Sequence, residues 1–250
     1  MATSCIMSHR TSGPARLGFF GILEAAIVAT RTESPGICNL CGASFSKRQM
    51  VRHLSQCAYP NGKDVAAVAQ IRVDVPGSPF WLDFDVKMNA TMRQLDEFLR
   101  DIWLECCGHL SSFEVGHTRY VVAMSDGFFG PEPNERSMNV RMSAALPPQG
   151  STFAYEYDFG STTHLRLKVV AYRQAPSRPN VVRLLARNDA PIWKCNQCNE
   201  PATSLCAYCV YEGGAFACET HVEDHKCGEE AMLPVVNSPR MGVCGYTGGA

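Results

Sequence analysis

Two Cys-x-x-Cys pairs lie close together near the end of the chain, in the stretch CNQCNEPATSLCAYC at residues 195–209. Further cysteines and histidines follow them in pairs. The eight potential ligands, in order, are Cys195, Cys198, Cys206, Cys209, Cys218, His221, His225 and Cys227. Tetrahedral zinc takes four sulfur or imidazole ligands, and one Cys-x-x-Cys turn supplies two thiolates to one ion. The ordered pairs therefore predict two zinc ions in a cysteine/histidine-rich tail at residues 193–250.

A redox role for these thiols is the main alternative. A thioredoxin-like site uses a single Cys-x-x-Cys pair in a βαβ setting, whereas the tail has several pairs and no such setting. With four protein ligands, an ion has no open position for water, so the predicted zinc is structural rather than catalytic. A module this small has little core of its own, and structural zinc supplies about 10–16 kcal/mol of apparent binding energy.

A second cysteine/histidine unit occupies residues 37–60. Its potential ligands are spaced Cys38-x2-Cys41-x11-His53-x3-Cys57. Phe45 lies where fingers of this type place their core aromatic residue, and Ser46 can cap a helix that carries His53. We therefore predict a C2HC zinc finger in this segment, which brings the expected total to three zinc ions per chain.

The two cysteine-rich segments differ in charge. Lys47, Arg48 and Arg52 lie in the finger, and residues 38–57 contain no acidic side chain, whereas acidic residues outnumber basic ones in residues 195–227. Because clustered cations attract phosphate, we predict that these three residues bind nucleic acid. The alternative is that they form a solvated helix face. The acidic tail is better suited to contact a protein partner.

The composition limits the class of protein. The chain has 250 residues and 13 cysteines, more than a core of this size uses for packing. An odd number of cysteines, mostly paired and interleaved with histidine, favours metal sites in a reducing compartment over a disulfide framework. We therefore expect a cytoplasmic protein. The formal net charge of −1 excludes a globally basic nucleic-acid-binding protein, so any electrostatic role must be local.

The stretch LGFFGILEAAIVAT at residues 17–30 superficially resembles a signal peptide. Glu24 interrupts its apolar run, which is also shorter than the roughly 20 residues that cross a bilayer. A metal-type cysteine motif follows, and export would expose that motif to oxidation. We therefore expect residues 1–36 to form a poorly ordered extension, and no segment to span a membrane.

Residues 64–189 show the patterns of an α+β domain. AQIRVDV and FWLDFDV alternate around the turn signal PGSP, which predicts a hairpin whose second strand is half-buried. Thr91 and Gln94 form a capping box before apolar residues at helical spacing, which predicts a helix. STFAYEYDF, THLRLKVVAYR and NVVRLLAR predict further strands, and residues 125–137 a loop. The expected fold is a central antiparallel sheet with helices, flanked by two small zinc-binding modules.

Two stretches of this central domain, CCGHLSSFEV and FAYEYDFGSTTHLRL, carry a resemblance to a known family. The matching residues are His109, Leu110, Phe113, Tyr155, Tyr157, Asp158, Phe159, Gly160 and His164. Through them, residues 65–187 resemble the Ri-plasmid open-reading-frame-three-like family, some of whose members are labelled passenger proteins of insertion elements. The chain departs from the family signature at Ser161 and Thr163, where the family has Asp and Trp. The resemblance implies a link to plasmids or mobile elements and no defined chemistry.

The tail resembles a second class, the cross-brace or treble-clef zinc modules of the B-box and related types. In such modules the first and third ligand pairs share one ion, and the second and fourth pairs share the other. By that analogy, Cys195, Cys198, Cys218 and His221 bind one zinc, and Cys206, Cys209, His225 and Cys227 bind the second. Cys244 could replace a member of the second set, so the pairing stays open.

An enzymatic interpretation centres on Asp158, His109 and His164, which could meet in a cleft as metal ligands or as acid and base. The alternative is a hydrogen-bonded structural cluster. Cys106 and Cys107 could be nucleophiles, but thiols at the end of an amphipathic helix are usually buried packing residues, and we expect that role here. The hydrolase Gly-x-Ser-x-Gly, the Walker phosphate loop and the metalloprotease His-Glu-x-x-His are all absent.

One further stretch, residues 160–188, has six basic residues and no acidic one. They are Arg166, Lys168, Arg173, Arg178, Arg183 and Arg187. On alternating strands these side chains could form a basic sheet face for nucleic acid, or they could offset the acidic side of the predicted helix. The leading hypothesis is a zinc-binding, non-catalytic interaction protein that contacts nucleic acid. The alternatives are a DNA-processing or hydrolytic enzyme of a mobile element and a protein–protein adaptor that uses the acidic tail.

Overall fold

The computed structural model describes residues 34–60, 64–122 and 133–249. Ten strands form its main sheet: β1 (Pro35–Cys38), β2 (Ser44–Ser46), β3 (Val65–Asp74), β4 (Trp81–Lys87), β5 (Ser111–Val115), β6 (Thr118–Val121), β7 (Glu135–Ser137), β8 (Thr152–Tyr157), β9 (Thr163–Pro176) and β10 (Val182–Asn188). The helices are α1 (Lys47–Leu54), α2 (Met92–Leu99) and α3 (Met142–Ala145), and a π-helical turn, Arg100–Leu104, extends α2. The structure is therefore α+β and dominated by strands, which confirms the predicted class.

The strands follow the order β2-β1-β10-β4-β3-β9-β8-β5-β6-β7. Neighbouring strands are antiparallel except β6 and β7, which run parallel. The predicted hairpin is present as β3 and β4, which pair from Val68 and Lys87 to Asp74 and Trp81. The predicted helix is α2, and both hydrogen bonds of its capping box are formed between Thr91 and Gln94. Local turn and cap signals were therefore sufficient to place these elements.

Strand β4 differs from the half-buried strand that its alternating sequence predicts, because both of its faces are buried. Leu82 and Phe84 face the main core, which they share with α2. On the other face, Trp81 packs against the segment of β1, β2 and α1, and Asp83 and Asp85 are buried beside arginines. The predicted finger covers this second face, so the polar positions of the strand are not at the protein surface.

The tail forms a separate three-stranded sheet in the order β12-β11-β13. Its strands are β11 (Ser204–Cys206), β12 (Phe216–Ala217) and β13 (Met232–Pro234). Trp193 belongs to the main core and stacks on Phe216 with ring centroids 5.0 Å apart. After β13 the chain returns to the central domain, where the Ser238 hydroxyl donates a hydrogen bond to the Trp103 carbonyl at 2.6 Å. The end of the tail is thus packed against the central sheet and helix.

Two predictions fall outside the described residues, in whole or in large part. They concern the amino-terminal extension at residues 1–36, with its signal-like stretch, of which only residues 34–36 are described, and the loop at residues 125–137, of which only residues 133–137 are described. Where they are described, both predictions are wrong, because Pro35 and Gly36 begin β1 and Glu135–Ser137 form β7. Within the described ranges, none of the helices reaches the length and hydropathy that a bilayer crossing requires.

Candidate metal centres

The structure gathers cysteine and histidine side chains into four clusters, each with three sulfurs and one imidazole. We call them the finger cluster (Cys38, Cys41, His53, Cys57), the first tail cluster (Cys195, Cys198, Cys218, His221), the second tail cluster (Cys206, Cys209, His225, Cys227) and the bridging cluster (Cys106, Cys107, His109, Cys244). Within each cluster the four potential ligand atoms lie within 4.8 Å of one another. All twelve described cysteines belong to one of these clusters.

The distances suit a tetrahedral metal. Zn–S bonds of about 2.3 Å and Zn–N bonds of about 2.0 Å place the ligand atoms of a tetrahedron about 3.5–3.8 Å apart. Sulfur–sulfur distances include 3.9 Å between Cys38 and Cys57 in the finger cluster, 3.6 Å in each tail cluster and 3.5 Å in the bridging cluster. A disulfide would need about 2.05 Å, and all twelve thiols are free. The clusters are therefore compatible with metal binding.

The finger cluster is positioned by a turn and a short helix. The Cys38 amide donates to the Ala43 carbonyl at 2.9 Å, and Gly42 takes the left-handed φ of 76° that this turn requires. Ser46 and Gln49 form a capping box that begins α1. The helix then presents His53, whose ring stacks on Phe45 with centroids 4.1 Å apart and whose Nε2 atom is 3.3 Å from the Cys41 sulfur.

The two tail clusters interleave along the sequence, and their membership is the one that the B-box analogy gave. In the first, His221 Nδ1 lies 3.2 Å from the Cys218 sulfur and 3.6 Å from the Cys195 sulfur. Burial opposes ionisation of Cys195, but backbone amides, including that of Gln197, donate to its sulfur and lower its pKa to about 6. These amides favour the thiolate of Cys195, which is the form that binds a metal. At Cys198 the Glu200 amide lowers the pKa, but burial and the Cys218 sulfur outweigh it and the pKa is raised.

The predicted nucleic-acid-binding residues are not equivalent. Lys47 is partly buried, and its ammonium lies 3.4 Å from the Asp74 carboxylate on β3. Burial lowers the pKa of Lys47, although Asp74 opposes this effect. Arg48 and Arg52 are exposed one helical turn apart, on the side of α1 away from the buried Met50. Two of the three predicted cations are therefore accessible to a partner, and the third is held by the sheet.

The basic stretch at residues 160–188 is mostly paired inside the molecule. Arg166 binds the Asp74 carboxylate at 2.5 Å, and Arg173 binds Asp85 at 3.0 Å. Arg183 and Arg187 donate to backbone carbonyls. The acidic side of α2 is not their partner, because Asp96 and Glu105 pair with Arg100. Arg166 and Arg173 thus neutralise aspartates of the sheet itself. The stretch therefore forms neither a fully basic face nor a counterpart to the acidic helix.

The three catalytic candidates do not form one centre. His109 Nδ1 lies 3.6 Å from the Asp158 carboxylate, but His164 pairs with Glu156 at 3.2 Å. The neighbour of His164 on β9, Thr163, faces the buried Arg240, so His164 points to the opposite face of the strand. Burial would raise the pKa of Asp158, yet a hydrogen bond from Arg240 brings it below its ordinary value. A carboxyl in this state serves an ion pair better than general acid catalysis.

The bridging cluster was not predicted. Cys106 and Cys107 were expected to be buried packing residues, but Cys106 is only half-buried and Cys107 is exposed. Their helix ends before them, and both sulfurs meet His109 and Cys244. The structure thereby places Cys244 apart from the second tail cluster. The available signals were a Cys-Cys-x-His spacing in the central domain and one cysteine left over in the tail.

Known proteins give one family match. A family model described as plasmid pRiA4b ORF-3-like protein matches residues 66–200, more than half of the chain. The chain belongs to this family. The match confirms the resemblance found in the central domain and supports the link to plasmids. In this plasmid pRiA4b ORF-3-like protein, Cys106, Cys107 and His109 lie inside the matched residues, whereas Cys244 and all four ligands of the finger cluster lie outside them.

Two further comparisons give little information beyond the family assignment. No curated protein matches this pRiA4b ORF-3-like chain. Among solved structures, the chain is similar to the crystal structure of a protein of unknown function from Methanosarcina mazei Go1. The sequence identity is 17% and the TM-score 0.39, with 48% of this chain and 67% of that one covered.

Proposed function

We propose that this protein is a zinc-structured, non-catalytic interaction protein that contacts nucleic acid through the exposed face of α1. The finger cluster and the two tail clusters each hold one zinc ion in this proposal. The observation that supports it best is the pair Arg48 and Arg52, exposed on a helix that is fixed to the sheet beneath it.

The donor set favours zinc and a structural role. Three thiolates and one imidazole are soft or borderline ligands, which suit zinc better than magnesium or calcium. Four protein ligands close the tetrahedron and leave no position for a substrate or a reactive water. In this proposal, each ion fixes its own segment of chain and supplies no chemistry. The flanking segments then act as a C2HC finger and a B-box-like or treble-clef-like module.

The finger is held rigidly enough to present α1 as one surface. Met50 and Leu54 of the helix pack against Trp81 of β4, and β1 pairs with β10. Lys47 is fixed to Asp74, so the remaining cations of the helix lie at a defined place on the surface. Two guanidiniums about one turn apart can contact phosphates, which position a protein on nucleic acid without reading its sequence.

A salt titration tests the nucleic-acid part of the proposal. The full-length protein is titrated with a fluorescent DNA duplex and with a single-stranded RNA at several salt concentrations. Replacing both Arg48 and Arg52 by Ala should weaken binding and reduce the slope of log K against log salt by about two, one for each lost phosphate contact. The matched control replaces Lys194 and Lys226, two exposed cations of the tail, by Ala and should leave the slope unchanged.

Two results would count against this assignment. One is the absence of wild-type binding at low salt, and the other is an equal loss of slope in the tail control. The zinc assignment is tested separately by native mass spectrometry of the reduced protein. Ser in place of Cys41, Cys198 or Cys227 should each remove one zinc ion, because each change takes one ligand from a different cluster.

A protein adaptor that uses the tail is the second candidate function. Ile192 and Tyr208 are exposed apolar side chains, with 80% and 70% of their surface accessible. Acidic residues dominate the same module, so the fitting partner is a basic, partly apolar protein segment. An array of basic peptides tests this candidate. Ser in place of both Ile192 and Tyr208 should abolish any specific binding, while Ala in place of Arg48 and Arg52 should not.

A further inference from the structure

We propose that the bridging cluster holds a fourth metal ion, of the zinc class, that fastens the end of the tail to the central domain. This site lies beyond the three zinc ions of the proposed function and does not depend on them. Its ligands come from two segments that are far apart in sequence, since Cys107 and Cys244 are separated by 137 positions.

The geometry of the cluster matches that of the other three. The Cys107 sulfur lies 3.7 Å from the Cys106 sulfur and 3.5 Å from the Cys244 sulfur. The Nε2 atom of His109 lies 2.9 Å from Cys107 and 3.3 Å from Cys244. The sulfur–sulfur distances are close to the edges of a zinc tetrahedron, about 3.5–3.8 Å, and the distance between His109 and Cys107 is about 0.6 Å shorter than such an edge. One ion can therefore contact all four atoms after small adjustments.

The backbone on both sides is shaped to present the ligands. The π-helical turn ends at Leu104, and the Gly108 amide donates to the Glu105 carboxylate at 2.5 Å. Gly108 takes a φ of 77°, which turns the chain so that Cys107 and His109 point to the same place. On the other side, Cys244 itself has a φ of 52°, a conformation that L-residues other than Asn and Asp seldom adopt.

Groups around the cluster orient and balance it. The other ring nitrogen of His109 faces the Asp158 carboxylate at 3.6 Å, the carboxylate–histidine–metal arrangement that fixes the ring of many metal ligands. Asp158 is held in turn by the Gly160 amide and by Arg240. The Arg240 guanidinium is fully buried and lies 3.7 Å from the Cys106 sulfur. Three thiolates and one divalent ion carry a net charge of −1, and the guanidinium that pairs with Asp158 also places its positive charge beside this anionic group.

The cluster completes a series of contacts along one segment. In residues 237–246, Asn237 hydrogen-bonds Asn188, Ser238 hydrogen-bonds Trp103 and Arg240 pairs with Asp158. Cys244 is the next contact of this segment with the central domain. Metal binding there closes a loop of more than half of the chain, whereas each of the other clusters closes a short local loop.

Counting metal ions in the reduced, full-length protein tests the proposal, with zinc and then cobalt as the added metal. Wild type should bind four ions, and Ser in place of Cys244 or of Cys107 should leave three. The double change, Cys107→Ser with Cys244→Ser, should also leave three, because both residues serve one ion. The control Thr247→Ala, at an exposed position close to Cys244 in sequence, should keep four.

A second measurement uses only the wild-type protein, so its result does not depend on whether the variants fold. The thiols of Cys107 and Cys244 are exposed, so without a metal they should react quickly with iodoacetamide. In the wild-type metal-bound protein their alkylation should be slowed at least about tenfold, and a chelator should release both together. Equal ion counts in wild type and the double variant, a loss of two ions in the double variant, fast alkylation with metal present or a Cys107–Cys244 disulfide in the metal-bound protein would each overturn the proposal.

Discussion

The two cysteine-rich regions of this molecule differ in how they are attached: the finger is part of the main sheet, and the tail forms a small sheet of its own. The finger contributes β1 and β2 to the ten-stranded sheet, and its helix packs on Trp81, Leu185 and Ala186 of the central domain. The tail module has strands of only two or three residues and a small core of its own around Leu205. In the proposed function the same donor set therefore serves two purposes. At the finger a metal would fix a helix onto an existing surface, and in the tail two metals would replace most of a core.

Removing the metal should produce the largest difference between the finger and the tail. With a strong chelator, we expect amides of residues 195–227 to lose protection from hydrogen exchange, because the tail loses about 10–16 kcal/mol of apparent binding energy per ion. The amides of β1 that pair with β10 should keep measurable protection, since the sheet still holds them. Hydrogen exchange with mass spectrometry checks this. Equal loss at both ends would mean that the finger also depends wholly on its metal.

Two buried tryptophans allow a matched test of the same contrast. Trp81 is fully buried beneath the finger and donates from Nε1 to the Ser34 carbonyl at 3.0 Å, whereas Trp193 stacks on Phe216 of the tail. Ala at either position should cost about 3–5 kcal/mol in the free energy of unfolding, measured by urea denaturation. Hydrogen exchange should locate the damage to the finger for Trp81→Ala and to the tail for Trp193→Ala. The comparison fails if both changes expose the same region.

A smaller effect is expected at the junction of finger and sheet. A Cβ atom on Gly36 would lie 2.2 Å from the Arg187 carbonyl oxygen and 2.7 Å from the Trp81 ring. Gly36→Ala should therefore push β1 away from β10 and cost about 1–3 kcal/mol of stability. The control is Gly160→Ala, where the nearest atom is 3.4 Å away, and its expected cost is within about 0.5 kcal/mol. Similar losses for both changes would show that β1 is not tightly packed.

The smallest effect concerns the ion pairs that Asp74 makes with Lys47 and Arg166. Burial would raise the pKa of Asp74, but the hydrogen bond from Arg166 and the charge of Lys47 bring it below its ordinary value. A carboxyl with a lowered folded-state pKa stabilises the fold above its unfolded-state pKa, near 3.9. That stability is lost as the pH falls through the folded-state pKa.

At neutral pH, Asp74→Asn should cost about 0.2–1 kcal/mol in urea denaturation, because its partners are partly exposed. The difference from wild type should shrink as the pH is lowered below 4. Glu97→Gln, which removes a more exposed pair with Arg93, is the control and should cost less. A loss larger than that of Gly36→Ala would mean that charge, rather than packing, holds the finger to the sheet.

The sequence predicted the structural elements that are formed by residues close together along the chain. The hairpin of β3 and β4, the capping box of α2 and the finger cluster follow from residues within about 30 positions of one another. The division of the tail ligands into two clusters came from the B-box analogy, which left Cys244 as an alternative ligand. The bridging cluster was missed because Cys244 approaches Cys107 only after the tail has folded back. The second buried face of β4 was missed for a related reason. Its alternation of apolar and polar residues is genuine, but the polar positions pair with arginines under the finger.

The pairing of β1 with β10 also affects how the chain is made. Gly36 lies opposite Asn188, so a ribosome must add about 130 residues after Cys57, the last ligand of the finger, before the partner strand exists. At about 5–20 residues per second this takes about 7–26 s. The ligands of the finger cluster, in contrast, are complete once Cys57 has emerged. In the proposed function, a nascent finger would therefore bind its ion before the strand on which it docks has been made, and the zinc supply during translation would act on the finger before the rest of the fold is present.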